Sequence, residues 1–181
     1  PGIPSPSSYN FLVFDYTTRN YLPETKLDSP QPVHIYDLDT DSLRQVTTLD
    51  IDRPVALGAL ENSWSPDETL WAYTLDFGRE VVSRPVMLLN LESGETSSTC
   101  LERKFNTERS ESDNSLYTGG VLSPDFAWSR DSRYLALQGV LEGWDMEESL
   151  GVYIYDTQTG DIYEVYRGRA DIIGWMANPS E

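Results

Sequence analysis

Ser63-Trp64-Ser65-Pro66-Asp67-Glu68 leads into Leu70-Trp71-Ala72-Tyr73, and Met87-Leu88-Leu89-Asn90-Leu91-Glu92-Ser93-Gly94-Glu95 follows. The order is short strand, tight turn, strand, loop, strand, hairpin turn, strand. Ser, Pro and Asp at successive positions suit a type I turn, because Pro presets φ and the Ser hydroxyl caps the first residue. Gly94 supplies the positive φ that the hairpin turn needs.

The same order recurs on both sides, which is the mark of a repeat architecture. The hairpin half appears as Ile35-Tyr36-Asp37 to Thr47, as Leu88-Leu89-Asn90 to Thr96, and as Ile154-Tyr155-Asp156 to Tyr166. These align without gaps, with Asp41, Gly94 and Gly160 at one position. The turn half appears as Trp64-Ser65-Pro66-Asp67, as Trp128-Ser129-Arg130-Asp131 before Tyr134-Leu135-Ala136-Leu137, and as Pro4-Ser5-Pro6-Ser7-Ser8 before Phe11-Leu12-Val13-Phe14. The first copy is read with a turn one residue longer. Ser123-Pro124-Asp125 lies six residues ahead of Ser129 and belongs to the entering loop. Asp171-Ile172-Ile173-Gly174-Trp175 reads as the first strand of a further unit, with Trp175 in the place of Trp64 and Trp128.

Composition bounds the function. Eleven Tyr and five Trp in 181 residues favour strands. Thirteen basic against 30 acidic residues give a net charge of −17, which opposes nucleic acid and anionic membrane surfaces; it reads first as solubility through surface carboxylates, with a basic or cationic partner as the second reading. No run of 18 apolar residues exists to span a bilayer. Cys100 is the sole cysteine, so no internal disulfide forms. The stretch 1–8 has the composition of a linker, and the start at Pro1 reads as a chain processed or excised from something longer.

The Trp-Ser-Pro-Asp turn and the Tyr-Asp-x-x-Thr-Gly hairpin together resemble the TolB-like, WD40-like β-propeller repeat over nearly the whole chain. The resemblance implies an all-β fold of four-stranded antiparallel blades: blades over 9–49, 55–101 and 121–167, a closing strand at 171–175 and a tail at 176–181. It departs most in the first unit, where Pro4 stands for the Trp. Three blades are fewer than the 4–8 of ordinary propellers. The chain is therefore a piece of a longer propeller, a subunit completed by other copies, or a compact three-blade body. Pro4 and Pro6 make a poor strand, so the tail strand is expected in the open slot of the first blade.

Chemical motifs are sparse. Asp37-Leu38-Asp39-Thr40-Asp41 opens like a calcium loop, but Thr48 stands where the bidentate acid belongs, and the stretch is also a repeat hairpin. His34 is the only histidine and starts a strand. Cys100 has no basic residue beside it and reads as structural. No G-x-S-x-G elbow, P-loop or dinucleotide fingerprint occurs. Acidic pairs such as Glu108 with Glu111 are expected by chance in so acidic a chain. Long connections over 17–32, 101–120 and 141–149 interrupt the repeats, and no helical stripe is present. Trp144 is the one Trp outside the repeat positions and strands. With Asp145, Met146 and Glu147 it forms the candidate partner-contact patch.

The expected function is a non-catalytic protein-binding or assembly scaffold, with no cofactor and no metal. Its partner is another protein, or copies of itself paired through edge strands. The alternative is an accessory, substrate-gating propeller of a larger peptidase or hydrolase. The resemblance implies an extracytoplasmic location, which low Lys and the linker-like start also fit.

Overall fold

The computed structural model describes residues 2–7, 9–14, 31–49, 64–74, 83–104, 126–168, 170, 172 and 174–176. The expectations that fall on residues 1, 8, 15–30, 50–63, 75–82, 105–125, 169, 171, 173 and 177–181 lie outside these residues.

The first unit is a four-stranded antiparallel sheet of β1 (Gly2–Pro4), β2 (Asn10–Phe14), β3 (Gln31–Asp37) and β4 (Ser42–Leu49), in that order. The second unit holds β5 (Leu70–Thr74), β6 (Ser83–Asn90) and β7 (Thr96–Lys104). Among the described residues its inner strand is represented by one bridge, Trp64 to Trp71. The third unit holds β8 (Ala127–Trp128), β9 (Tyr134–Leu141), β10 (Gly151–Asp156) and β11 (Ile162–Arg167). A single helical turn, α1 (Met146–Ser149), interrupts the β9–β10 connection.

The repeats superpose at the level of hydrogen bonds. Pro4 pairs with Phe11, Trp64 with Trp71, and Trp128 with Leu135. The amides of Ser5, Ser65 and Ser129 donate to the carbonyls of Asn10, Leu70 and Tyr134 at 2.7, 2.9 and 2.8 Å. Each serine hydroxyl accepts the amide of that same residue in return, at 3.2, 2.9 and 2.8 Å. The first turn therefore has the length of the others, which corrects the expected extra residue: β2 starts at Asn10, not Phe11. The hairpins repeat as well. Asp37, Asn90 and Asp156 each accept two amides of their own turn on Oδ1, and Asp41, Gly94 and Gly160 follow at positive φ.

Two further expectations are corrected. The slot beside β2 is filled by β1, so residues 2–4 are strand rather than linker, and the tail does not take that place. Because β1 is an edge strand with one neighbour, its proline leaves no ladder bond unmade on a second side. The tail instead meets the third unit: the Trp175 indole N–H donates to the Ala127 carbonyl at 2.8 Å. Residues 101–104, expected as loop, extend β7. The strand bulges where Cys100 adopts a φ of 57°, and Leu101 and Glu102 then pair with Leu141 and Val140 of β9. That short pairing joins the second and third units into one seven-stranded sheet.

The units are held face to face by two cores. Leu12, Val33 and Leu49 of the first unit meet Trp64, Trp71, Tyr73, Leu89 and Leu91 of the second. The opposite face of the second unit, with Ala72, Val86, Leu88 and Leu101, meets Leu135, Leu137, Tyr153 and Tyr155 of the third. At about 1.5–3 kcal/mol for each large side chain removed from water, this packing outweighs any surface ion pair. The described residues are all-β apart from the single turn of α1, and their three units stack as β-propeller blades, in a partial set.

Candidate functional site

The candidate patch sits on the β9–β10 connection, and its backbone is braced from several sides. The Trp144 amide donates to the Leu141 carbonyl at 3.0 Å. The Glu148 and Ser149 amides both donate to the Asp145 carbonyl at 3.1 Å. The buried Ser149 hydroxyl donates to the same carbonyl and accepts the Leu141 amide, each at 3.3 Å. The Tyr153 hydroxyl donates to the Ser149 carbonyl. Across the unit boundary, the Glu142 amide donates to the Cys100 carbonyl at 2.9 Å. Gly143 makes the reversal at a φ of 78°.

On this braced loop Trp144 is 51% exposed. Asp145 beside it is exposed, and Met146 and Glu147 open α1. Glu142 and Glu148 are also exposed, so the Trp stands among carboxylates. The arrangement presents one large amphipathic side chain in an anionic setting, a combination suited to contact rather than to bond making.

A second exposed surface was not singled out by the sequence. Tyr163, Val165 and Tyr166 of β11 are each about half exposed or more. In sequence they look like one more hairpin strand. Their exposure follows from β11 standing at the end of its sheet. The Glu164–Arg167 ion pair, at 2.9 Å, and the bulge at Val152/Tyr153 are ways of blunting such an edge.

The carboxylates Asp37, Asp41 and Asp156 serve the fold. Asp37 caps its turn through the Asp39 and Thr40 amides, which hold its carboxyl below the usual range. Asp41 accepts the Tyr36 hydroxyl. His34 is half-buried in β3. Cys100 is exposed in β7, and its amide donates to the Ser98 hydroxyl at 3.0 Å. Asp156 is gripped by the Arg133 guanidinium at 2.7 and 3.1 Å and by two turn amides, so it too lies below the usual carboxylate range. Among the described residues no group of three His, Cys, Asp or Glu is placed to hold a metal ion. No described helix is long and apolar enough to cross a membrane.

No family profile and no curated protein matches the chain. Among solved structures, the tricorn protease aligns over 87% of this chain and 12% of its own, with 17% identity and a TM-score of 0.46. The β-propeller domain of the trilobed protease from Pyrococcus furiosus aligns over 86% of this chain and 37% of its own, with 16% identity and a TM-score of 0.43. The chain thus spans well under two thirds of either.

Proposed function

We propose that the chain is a non-catalytic scaffold module that binds a protein partner through the β9–β10 loop. The observation that carries this reading is Trp144, half exposed on a backbone fixed by its own hydrogen bonds. Buried aromatic anchors dominate protein interfaces, and an anchor already held in place loses little freedom on binding. The net charge of −17 favours a partner with a basic face.

The test is capture from an extract of the source cells, followed by titration of the captured protein. The expected result is a basic partner whose affinity falls at least thirtyfold with Trp144→Ala, taking about 2 kcal/mol for a hot-spot truncation. The thermal midpoint of that variant should be unchanged. Equal affinity for both forms contradicts the reading.

An extracytoplasmic site of action belongs to the same proposal, and cell fractionation tests it. The accessory-module alternative rests on the sequence resemblance alone. It predicts peptidase or hydrolase activity in the full gene product and loss of substrate selectivity when this segment is removed.

A further inference from the structure

The two end faces of the stack are the two halves of its internal interfaces. In the second unit, Leu70, Ala72, Val86 and Leu88 share the face turned toward the third unit, and the last three are buried there. Their counterparts one repeat later are Tyr134, Ala136, Val152 and Ile154, which share one face of β9 and β10 by the same register. Val152 and Ile154 are only half-buried where Val86 and Leu88 are fully buried, and Tyr163 beside Ile154 is 49% exposed. Trp175 reaches this face at its Tyr134 end, with ring centroids 6.1 Å apart.

At the other end, the face that the second unit turns toward the first carries Trp71, Tyr73, Leu89 and Leu91, all buried. The counterparts in the first unit are Phe11, Val13, Tyr36 and Leu38. The first three are half-buried, and Leu38 is 48% exposed. One end of the chain thus presents the receiving face of a unit-to-unit contact, and the other presents the inserting face.

A polar contact repeats with the same offset. The Ser7 amide donates to Glu68 Oε1 at 2.9 Å, and the Asp67 amide donates to Ser132 Oγ at 3.0 Å. Each runs from one unit's turn to the equivalent of position 68 in the next.

We infer that a second copy of this chain docks its first-unit face on the third-unit face, head to tail, so that two copies bury both pairs of end faces and close a ring of six units. The contact continues an interface already made twice within the chain. Six units fall within the 4–8 that propeller rings contain, and closure is what distinguishes a ring from an open filament. The proposal does not depend on the Trp144 loop. The charge of −17 on each copy opposes approach, and salt screens that repulsion beyond about 8 Å at physiological strength. Dimerisation should therefore strengthen with added salt, the reverse of binding to a basic partner.

Sedimentation and light scattering on the purified chain, over a range of concentration and salt, test this. The expected result is a monomer–dimer equilibrium with nothing larger. Leu38→Asp damages one face and Tyr163→Asp the other, both at exposed positions, and circular dichroism checks that each variant folds. Each variant alone should be monomeric, because every interface then contains a damaged face. Mixing the two should restore dimer, because one of the two interfaces is then intact on both sides. A chain that stays monomeric under all conditions, open-ended assembly, or a mixture that fails to dimerise overturns the proposal. A monomer would leave the face to a further unit of a longer chain or to another protein.

Discussion

The backbone amide of Asp67 donates to the side-chain hydroxyl of Ser132 at 3.0 Å, across the boundary between the second and third units. The residues are 65 positions apart, yet they occupy adjacent places in equivalent turns. With the Ser7–Glu68 contact at the first boundary, this bond fixes the offset between neighbouring units. The apolar cores supply the attraction, and these directional bonds select the register.

Replacing Ser132 by Ala should lower stability by about 1 kcal/mol, the usual worth of a neutral hydrogen bond. Ser132 has a φ of 60°, and Ala bears the same backbone strain, so the difference reports the hydroxyl. Urea titration should show a lower midpoint with an unchanged slope.

Acid should weaken the first boundary. Burial tends to raise the Glu68 carboxyl, but donation by Ser7 and Asn10 outweighs it and holds the group below its ordinary range. A depressed folded value means that the stability it adds is present above the unfolded value and is lost as pH falls through the folded one. Stability measured from neutral pH downward should decline below the ordinary Glu range, about pH 4–5. Glu68→Gln should flatten that decline.

Alkali should act on the first core. Tyr73 is buried and stacks on Trp71 at 4.8 Å, and burial pushes its hydroxyl up to about 12. The neutral phenol is favoured in the fold, so its stability is complete below the unfolded value of about 10 and is lost as pH rises toward the folded one. Tyr73→Phe should leave stability at pH 7 nearly unchanged and reduce the loss on titration into alkali.

Two equivalent glycines should respond unequally. Gly94 and Gly160 have φ near 75°, so alanine at either costs about 1–2 kcal/mol in backbone strain. A Cβ on Gly94 would also lie 2.3 Å from the Val46 carbonyl oxygen in the first unit. On Gly160 it would meet nothing closer than the Tyr155 hydroxyl at 3.8 Å. Overpacking adds about 1–3 kcal/mol, so Gly94→Ala should lower the thermal midpoint well beyond Gly160→Ala.

The repeat was legible in the sequence because turn chemistry is local. Ser65 and Ser129, and Asn90 and Asp156, are needed by their own turns wherever the unit packs, so their spacing survives. The parts decided by long-range partners were not legible. Pro4 argued against a strand, yet an edge position beside β2 accepts it. The polar run Leu101-Glu102-Arg103-Lys104 looked like loop, yet β9 supplies a second neighbour for Leu101 and Glu102. Trp175 was read as a strand residue, whereas its indole makes the contact, on Ala127. Trp144 stood out by falling outside the repeat. The exposed face of β11 did not, because in sequence it reads as one more hairpin strand.

The central claim is that three equivalent units stack face to face, with the second between the other two. Methyl and aromatic nuclear Overhauser contacts in solution test it most directly. The account predicts cross-peaks from the Leu12 and Val33 methyls to the Trp71 and Tyr73 rings, and from the Val86 and Leu88 methyls to the Tyr153 and Tyr155 rings. Cross-peaks linking the Leu12 and Val33 methyls directly to Tyr153 or Tyr155, with the Trp71 and Tyr73 contacts missing, would contradict it.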